Sequence, residues 1–167
     1  MNPVLQNTLI VCIMLGFAGM EYGSRRYANT VRASSDDTKL EILMFLSLLL
    51  IAQPVAILGA NMLCAWLMPA QLGAWAEMPW WAMVAILLVG DDLTQYWWHR
   101  LSHSPLLWPL HRAHHTARYM SIRMTYRNNF FYYLMMPGLW IAGALIYLGF
   151  AKAYAVYIVV KMLVILG

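Results

Sequence analysis

Four stretches of this chain, residues 4–20, 41–68, 79–98 and 130–150, stay apolar over the length a helix needs to cross a bilayer. A fifth apolar run, interrupted by Lys161, begins at Ala151. About 20 apolar residues span the hydrocarbon core. Composition agrees with that constraint. Hydrophobic residues make up 62% of the chain and charged residues 11%, against about a quarter charged in a soluble domain. Too little polar surface is left to cover a water-soluble globule. The fold expected is all-α: a polytopic membrane protein of four to five transmembrane helices, forming one membrane domain over residues 1–167.

Within that domain the N-terminal spans fall in 4–68, a module of different character in 79–137, and a partial last span in 151–167. Pro54 and Gly59 lie inside the second run, which allows a kinked or tilted span or a tight re-entrant pair. The first positive residue is Arg25. Residues 4–20 therefore lack the basic region of a secretory signal and read as a retained span. Cys12 and Cys64 sit in apolar runs and read as small packing residues, with neither a disulfide framework nor zinc-ribbon spacing.

Charge placement gives an orientation. The loop at 21–40 carries Arg25, Arg26, Arg32 and Lys39, and the loop at 99–129 carries Arg100, Arg112, Arg118, Arg123 and Arg127. The intervening loop at 69–78 carries no Lys or Arg. Positive loops stay in the cytoplasm, so the first and third loops read as cytoplasmic and the N-terminus as outside. The net charge of +4 thus belongs to membrane topology and not to nucleic-acid binding. Trp80 and Trp81 at one end of the third run, and Trp97 and Trp98 at the other, fit interfacial belts.

All five histidines fall between His99 and His115, in "DDLTQYWWHRLSHSPLLWPLHRAHH". Nothing from Asp91 to Ser104 breaks a helix, so the third helix should continue past the membrane surface. His99 and His103 are four apart and share a face, with Gln95 and Asp92 on the same stripe. Pro105 and Pro109 mark a turn, after which His111, His114 and His115 stand at i, i+3 and i+4. Two short helices with facing imidazoles converge on metal, and imidazole suits iron, copper, zinc and nickel. A structural zinc site is disfavoured because no cysteine is near. One interfacial histidine alone is an ordinary amphipathic side chain. Five at this spacing, with none elsewhere, are a ligand set.

Asp92, seven residues before His99, is placed to hydrogen-bond a ligating imidazole and fix its tautomer. Asp91 reads as a solvated interfacial charge. The arginines read as topology signals. Trp97, Trp98 and Trp108 read as interface anchors, and the methionines as apolar packing.

"DLTQYWWHRLSH" followed by "LLWPLHRAHH" resembles the signature of the fatty acid hydroxylase and sterol desaturase superfamily, integral membrane oxygenases with a histidine-ligated di-iron centre. The first box, HxxxH, matches His99 and His103; the second, HxxHH, matches His111, His114 and His115. Asp92, Tyr96 and Trp97 match residues ahead of the first box, and Arg127 in "TYRNNFFYY" resembles an arginine after the second. The resemblance is close over residues 79–137. It implies two iron ions, dioxygen, and an electron-donor protein (a cytochrome, ferredoxin or reductase). It implies hydroxylation or desaturation of a membrane lipid, fatty acyl or sterol-like.

The family carries a further histidine cluster nearer the C-terminus, whereas no histidine follows His115 here. The expectation is a chain truncated before that cluster, or a naturally short inactive member acting as a scaffold. A membrane metal-binding or metal-transporting protein is the alternative of another class. It should carry ionisable groups mid-span, where this chain offers little beyond Gln53, Asn61 and Lys161.

Overall fold

The structure is a computed structural model that describes residues 35–117 and 122–166, with scattered positions between 8 and 23. The expected first span at 4–20, Arg25, Arg26, Arg32 and Arg118 lie outside the described residues or among those scattered positions. The regular structure among the described residues is all helical, with no strand.

The run at 41–68 forms one rod. Helix α1 (Ser35–Ser47) passes through a π-helical stretch (Leu48–Ala52) into α2 (Gln53–Leu67). Pro54 explains the wide turn. It has no N–H for the Leu50 carbonyl and its ring crowds that carbonyl, so the helix loosens just before it. Ala52 and Gln53 keep right-handed helical dihedrals. The chain does not turn back, which answers the question of a re-entrant pair. Asp37–Leu67 is long and apolar enough to cross a membrane, and only 11% of its most apolar stretch is buried. The core helix of a soluble protein would be mostly covered. Here Leu50, Leu58, Met62 and Trp66 all face outward, as a lipid-facing helix requires.

Helix α3 (Trp80–Ser102) is apolar in its first half but carries Asp91, Asp92, Thr94 and Gln95 further on. Pro105 ends its run, and Pro109 starts α4 (Trp108–His115) at a position where a missing N–H costs nothing. A 3-10 turn (Ile122–Tyr126), α5 (Phe130–Leu134) and α6 (Pro137–Leu145) follow, then a π turn (Ile146–Phe150) and α7 (Ala151–Leu166).

The second membrane-length apolar stretch is Phe130–Val164, but it is folded back on itself. Gly149 has φ 119°, a conformation open to glycine and strained for other residues. Asp91 on α3 touches both sides of that bend: its carboxylate lies against Gly138 of α6 and pairs with Lys161 of α7. The arms therefore run antiparallel. Gly73 and Trp75 donate N–H to the carbonyls of Tyr147 and Leu148, at 3.0 and 2.8 Å, and fasten the bend to the loop before α3. Among the described residues two stretches are long and apolar enough to cross a membrane, and the second is a helical hairpin whose arms correspond to the expected runs at 130–150 and 151–167.

Close packing holds the bundle. A Cβ on Gly143 would come 2.8 Å from the Ile57 carbonyl, so the small residue lets α6 and α2 approach. Asn61 Nδ2 donates across that contact to Gly143 O at 2.8 Å. Met83, Val84 and Leu87 of α3 bury against Phe150, Ala153 and Tyr157. A second core of Ala52, Trp98, Tyr132, Tyr133 and Met136 lies beneath the histidine segment.

Asp91 corrects an expectation. It is not a solvated interfacial charge: its side chain is 9% exposed and 2.6 Å from Lys161 Nζ. Helix α7, far along the chain, supplies the partner that α3 alone does not reveal.

Candidate metal centre

The last turn of α3 and the whole of α4 bring the histidines together. His99, His103, His111 and His115 each offer a ring nitrogen, and all four lie within 4.8 Å of one another. His99 Nε2 is 3.2 Å from His103 Nε2, and His111 Nε2 is 3.0 Å from His115 Nε2. Nitrogens bound side by side on one ion at about 2.1 Å are roughly 3.0–3.4 Å apart. Opposed ones are roughly 4.2 Å apart, so the widest pair, at up to 4.8 Å, needs to close by roughly 0.6 Å.

His114 stands at the edge of this group. Its ring stacks on His111 at 5.2 Å and lies 6.1 Å from His99. Asp92 is exposed on α3 and makes no hydrogen bond or ion pair with the described residues. Asn128 and a backbone carbonyl do what was expected of Asp92. His111 Nδ1 is 2.9 Å from Asn128 Oδ1, and His114 Nδ1 is 3.1 Å from Met124 O. Both oxygens only accept, so both Nδ1 atoms carry the proton and each Nε2 presents its lone pair.

Aromatic rings frame the cluster. Tyr132 stacks on His111 at 5.1 Å and 16°, and Trp108 on His115 at 5.5 Å and 27°. Trp108, expected as an interface anchor, is a wall of the site. His111 is buried while His99, His103 and His115 are exposed, so the cluster is closed behind and open in front.

Burial pushes the His111 pKa down to about 4, the neighbouring imidazoles adding to the shift and the Asn128 hydrogen bond opposing it. Burial is also the main cause of lowered values at His99, His114 and His115, aided by their neighbours. Desolvation disfavours imidazolium, and a ligating imidazole must be neutral. The cluster is held in the form that binds metal.

The family model for fatty acid hydroxylase matches residues 83–166, just over half of the 167-residue chain. The chain belongs to the fatty acid hydroxylase family. The family's domain begins within α3 and continues to the end of α7, well past the resemblance drawn over 79–137; α1 and α2 precede it. No solved structure matches the chain. Membership of the fatty acid hydroxylase family supports an oxidoreductase acting on lipid. The donor set fits the iron typical of the family: neutral imidazoles, tautomers fixed from behind, no thiolate, one open side.

Proposed function

We propose that the chain is the histidine-bearing membrane module of an iron- and oxygen-dependent lipid hydroxylase or desaturase. The observation that carries this reading is the convergence of four imidazole nitrogens from two helices at one end of an apolar bundle. His99, His103, His111 and His115 would hold iron, with His114 adjoining and Asp92 on the open side. Bound iron supplies the capacity to activate dioxygen toward an unactivated C–H bond. Asn128 and the Met124 carbonyl hold protons on the outer nitrogens and aim the inner ones. Trp108 and Tyr132 restrict ring rotation, and Tyr132 covers His111 on the closed side.

The substrate in this reading is a fatty acyl or sterol-like membrane lipid, reaching the site from the bilayer beside α3. An electron-donor protein supplies two electrons, approaching the exposed imidazoles. The protein crosses the membrane several times, α3 included, with the histidine segment in the cytoplasm and the N-terminus outside. Family members hold two irons, which need about eight ligands. Five histidines fall short of that number, so these residues should hold one iron weakly, or two with extra water, and should not oxidise lipid by themselves.

Purified chain in nanodiscs, assayed for iron per chain and for oxygen-dependent lipid product with a reductant, tests this. Bound iron, lost in His99→Ala and His111→Ala, is the expected result. No iron in the wild type would remove the oxygenase reading and favour the scaffold. The transporter reading is weaker, because among the described residues Gln53, Asn61 and Lys161 are each engaged by a neighbouring helix.

A further inference from the structure

The cluster is gripped from behind by one short segment. Besides the bonds from His114 to Met124 and from His111 to Asn128, Arg127 Nε donates to Ala113 O at 3.0 Å and Asn129 N to Leu110 O at 3.2 Å. Ala113 lies between His111 and His114 in the last turn of α4, where its carbonyl also accepts from Thr116 Oγ1 at 3.0 Å and where cations are favoured.

The same segment is tied to α1. Arg127 Nη1 lies 2.8 Å from Asp37 Oδ1 and 3.8 Å from Glu41 Oε1. Asp37 and Glu41 are one turn apart on α1, and one turn further Phe45 packs edge-on against Tyr126 at 4.8 Å. Glu41 is 1% exposed and the Arg127 side chain 9%. Charges so buried persist only when paired. Arg127 uses separate nitrogens for its two tasks, and its guanidinium is a rigid plane. Fixing Nη1 on the acids therefore fixes where Nε points.

We propose that Asp37 and Glu41, which precede the segment shared with the family, are positioning residues for the histidine cluster. They orient Arg127, and Arg127 sets the turn that carries His111 and His114. The proposal rests on reading the cluster as a metal site. It makes the N-terminal rod part of the metal-binding apparatus, where composition alone makes it an anchor.

The test is cobalt(II) binding to the full chain in detergent, followed by its ligand-field absorption, with melting temperature measured on the metal-free proteins. Asp37→Asn and Glu41→Gln should each weaken binding about tenfold, as loss of a partner behind a ligand does. Asp37→Glu, which keeps the charge, should stay within about threefold of wild type on the same scale. Arg127→Lys keeps a cation for the acids but loses the planar Nε donor, and should also bind about tenfold more weakly. Phe45→Ala loosens the same packing without touching charge; it should lower the melting temperature and leave affinity unchanged.

Wild-type affinity in Asp37→Asn, Glu41→Gln and Arg127→Lys would overturn the positioning role while leaving the metal site standing. An affinity loss in Phe45→Ala equal to theirs would overturn it too, reducing the effect to general stability. If Asp37→Asn fails to fold, Arg127→Lys against Phe45→Ala decides. A wild type that binds no cobalt would bring down the metal reading itself.

Discussion

Acid should destabilise the metal-free chain through His111. That imidazole is 1% exposed, and its pKa is pushed from 6.5 down to about 4, mostly by burial. The folded chain keeps it neutral, whereas the unfolded chain takes up a proton below pH 6.5. Its contribution is therefore complete above pH 6.5 and is lost as pH falls from there through about 4. Each pKa unit corresponds to about 1.4 kcal/mol, so this one side chain contributes about 3 kcal/mol. Net stabilities are commonly about 5–15 kcal/mol, which makes the loss easy to see. His99, His114 and His115 shift the same way, but solvent screening reduces what they add. The assay is unfolding of the metal-free chain in detergent, read by tryptophan fluorescence between pH 7.5 and 4.5, for wild type and His111→Gln. Carboxylates titrate in both proteins, so the difference isolates His111. Wild type should lose about 2–3 kcal/mol more than the variant between pH 6.5 and 4.5. Parallel curves would refute the reasoning.

Gly149→Ala should cost about 2–5 kcal/mol. The new Cβ would stand 2.8 Å from Ala76 N at φ 119°, combining backbone strain with loss of the bonds from Gly73 and Trp75; a denaturant midpoint matching wild type would contradict the bend. Lys161→Met leaves Asp91 buried without its cation and should destabilise by about 3–5 kcal/mol, with Asp91→Asn in the same chain recovering most of it. A cysteine placed at Leu110 should resist impermeant thiol reagents on intact cells and react after lysis; labelling from outside would reverse the proposed orientation.

Much of the site was legible because it is local. The four-residue spacing of His99 and His103, the i, i+3, i+4 spacing of His111, His114 and His115, and the prolines between them are contained in seventeen consecutive residues. Helical periodicity alone brings them to facing surfaces. What escaped was long-range. Asn128 stands beside Arg127 in "TYRNNFFYY" with nothing in its spacing to link it to a histidine, and only the fold of 122–129 over α4 makes it the partner of His111. Asp92 was the natural candidate from its stripe on α3, yet Asp91 is the carboxylate that meets another helix. One residue around a helix is a rotation of about 100°, enough to exchange solvent for a neighbour. Apolar length found the runs and set the boundary between 130–150 and 151–167 beside Gly149, but it does not show that this glycine reverses the chain into two packed arms.

The Asp91–Lys161 pair also imposes an order on biosynthesis. The two residues are about 70 positions apart. At translation rates of about 5–20 residues per second, the carboxylate leaves the ribosome roughly 4–14 s before its cation. An aspartate midway along a helix costs roughly 2.5–3.5 kcal/mol to insert alone, and Asp91 sits in the middle of α3 with Asp92 beside it. A newly made α3 that is to enter the bilayer therefore bears that penalty until α7 arrives, or waits at the interface for it. In the proposed topology, the arrival of α7 lifts that penalty from the helix that begins the histidine cluster, and a nascent chain halted between the two helices holds Asp91 without its cation.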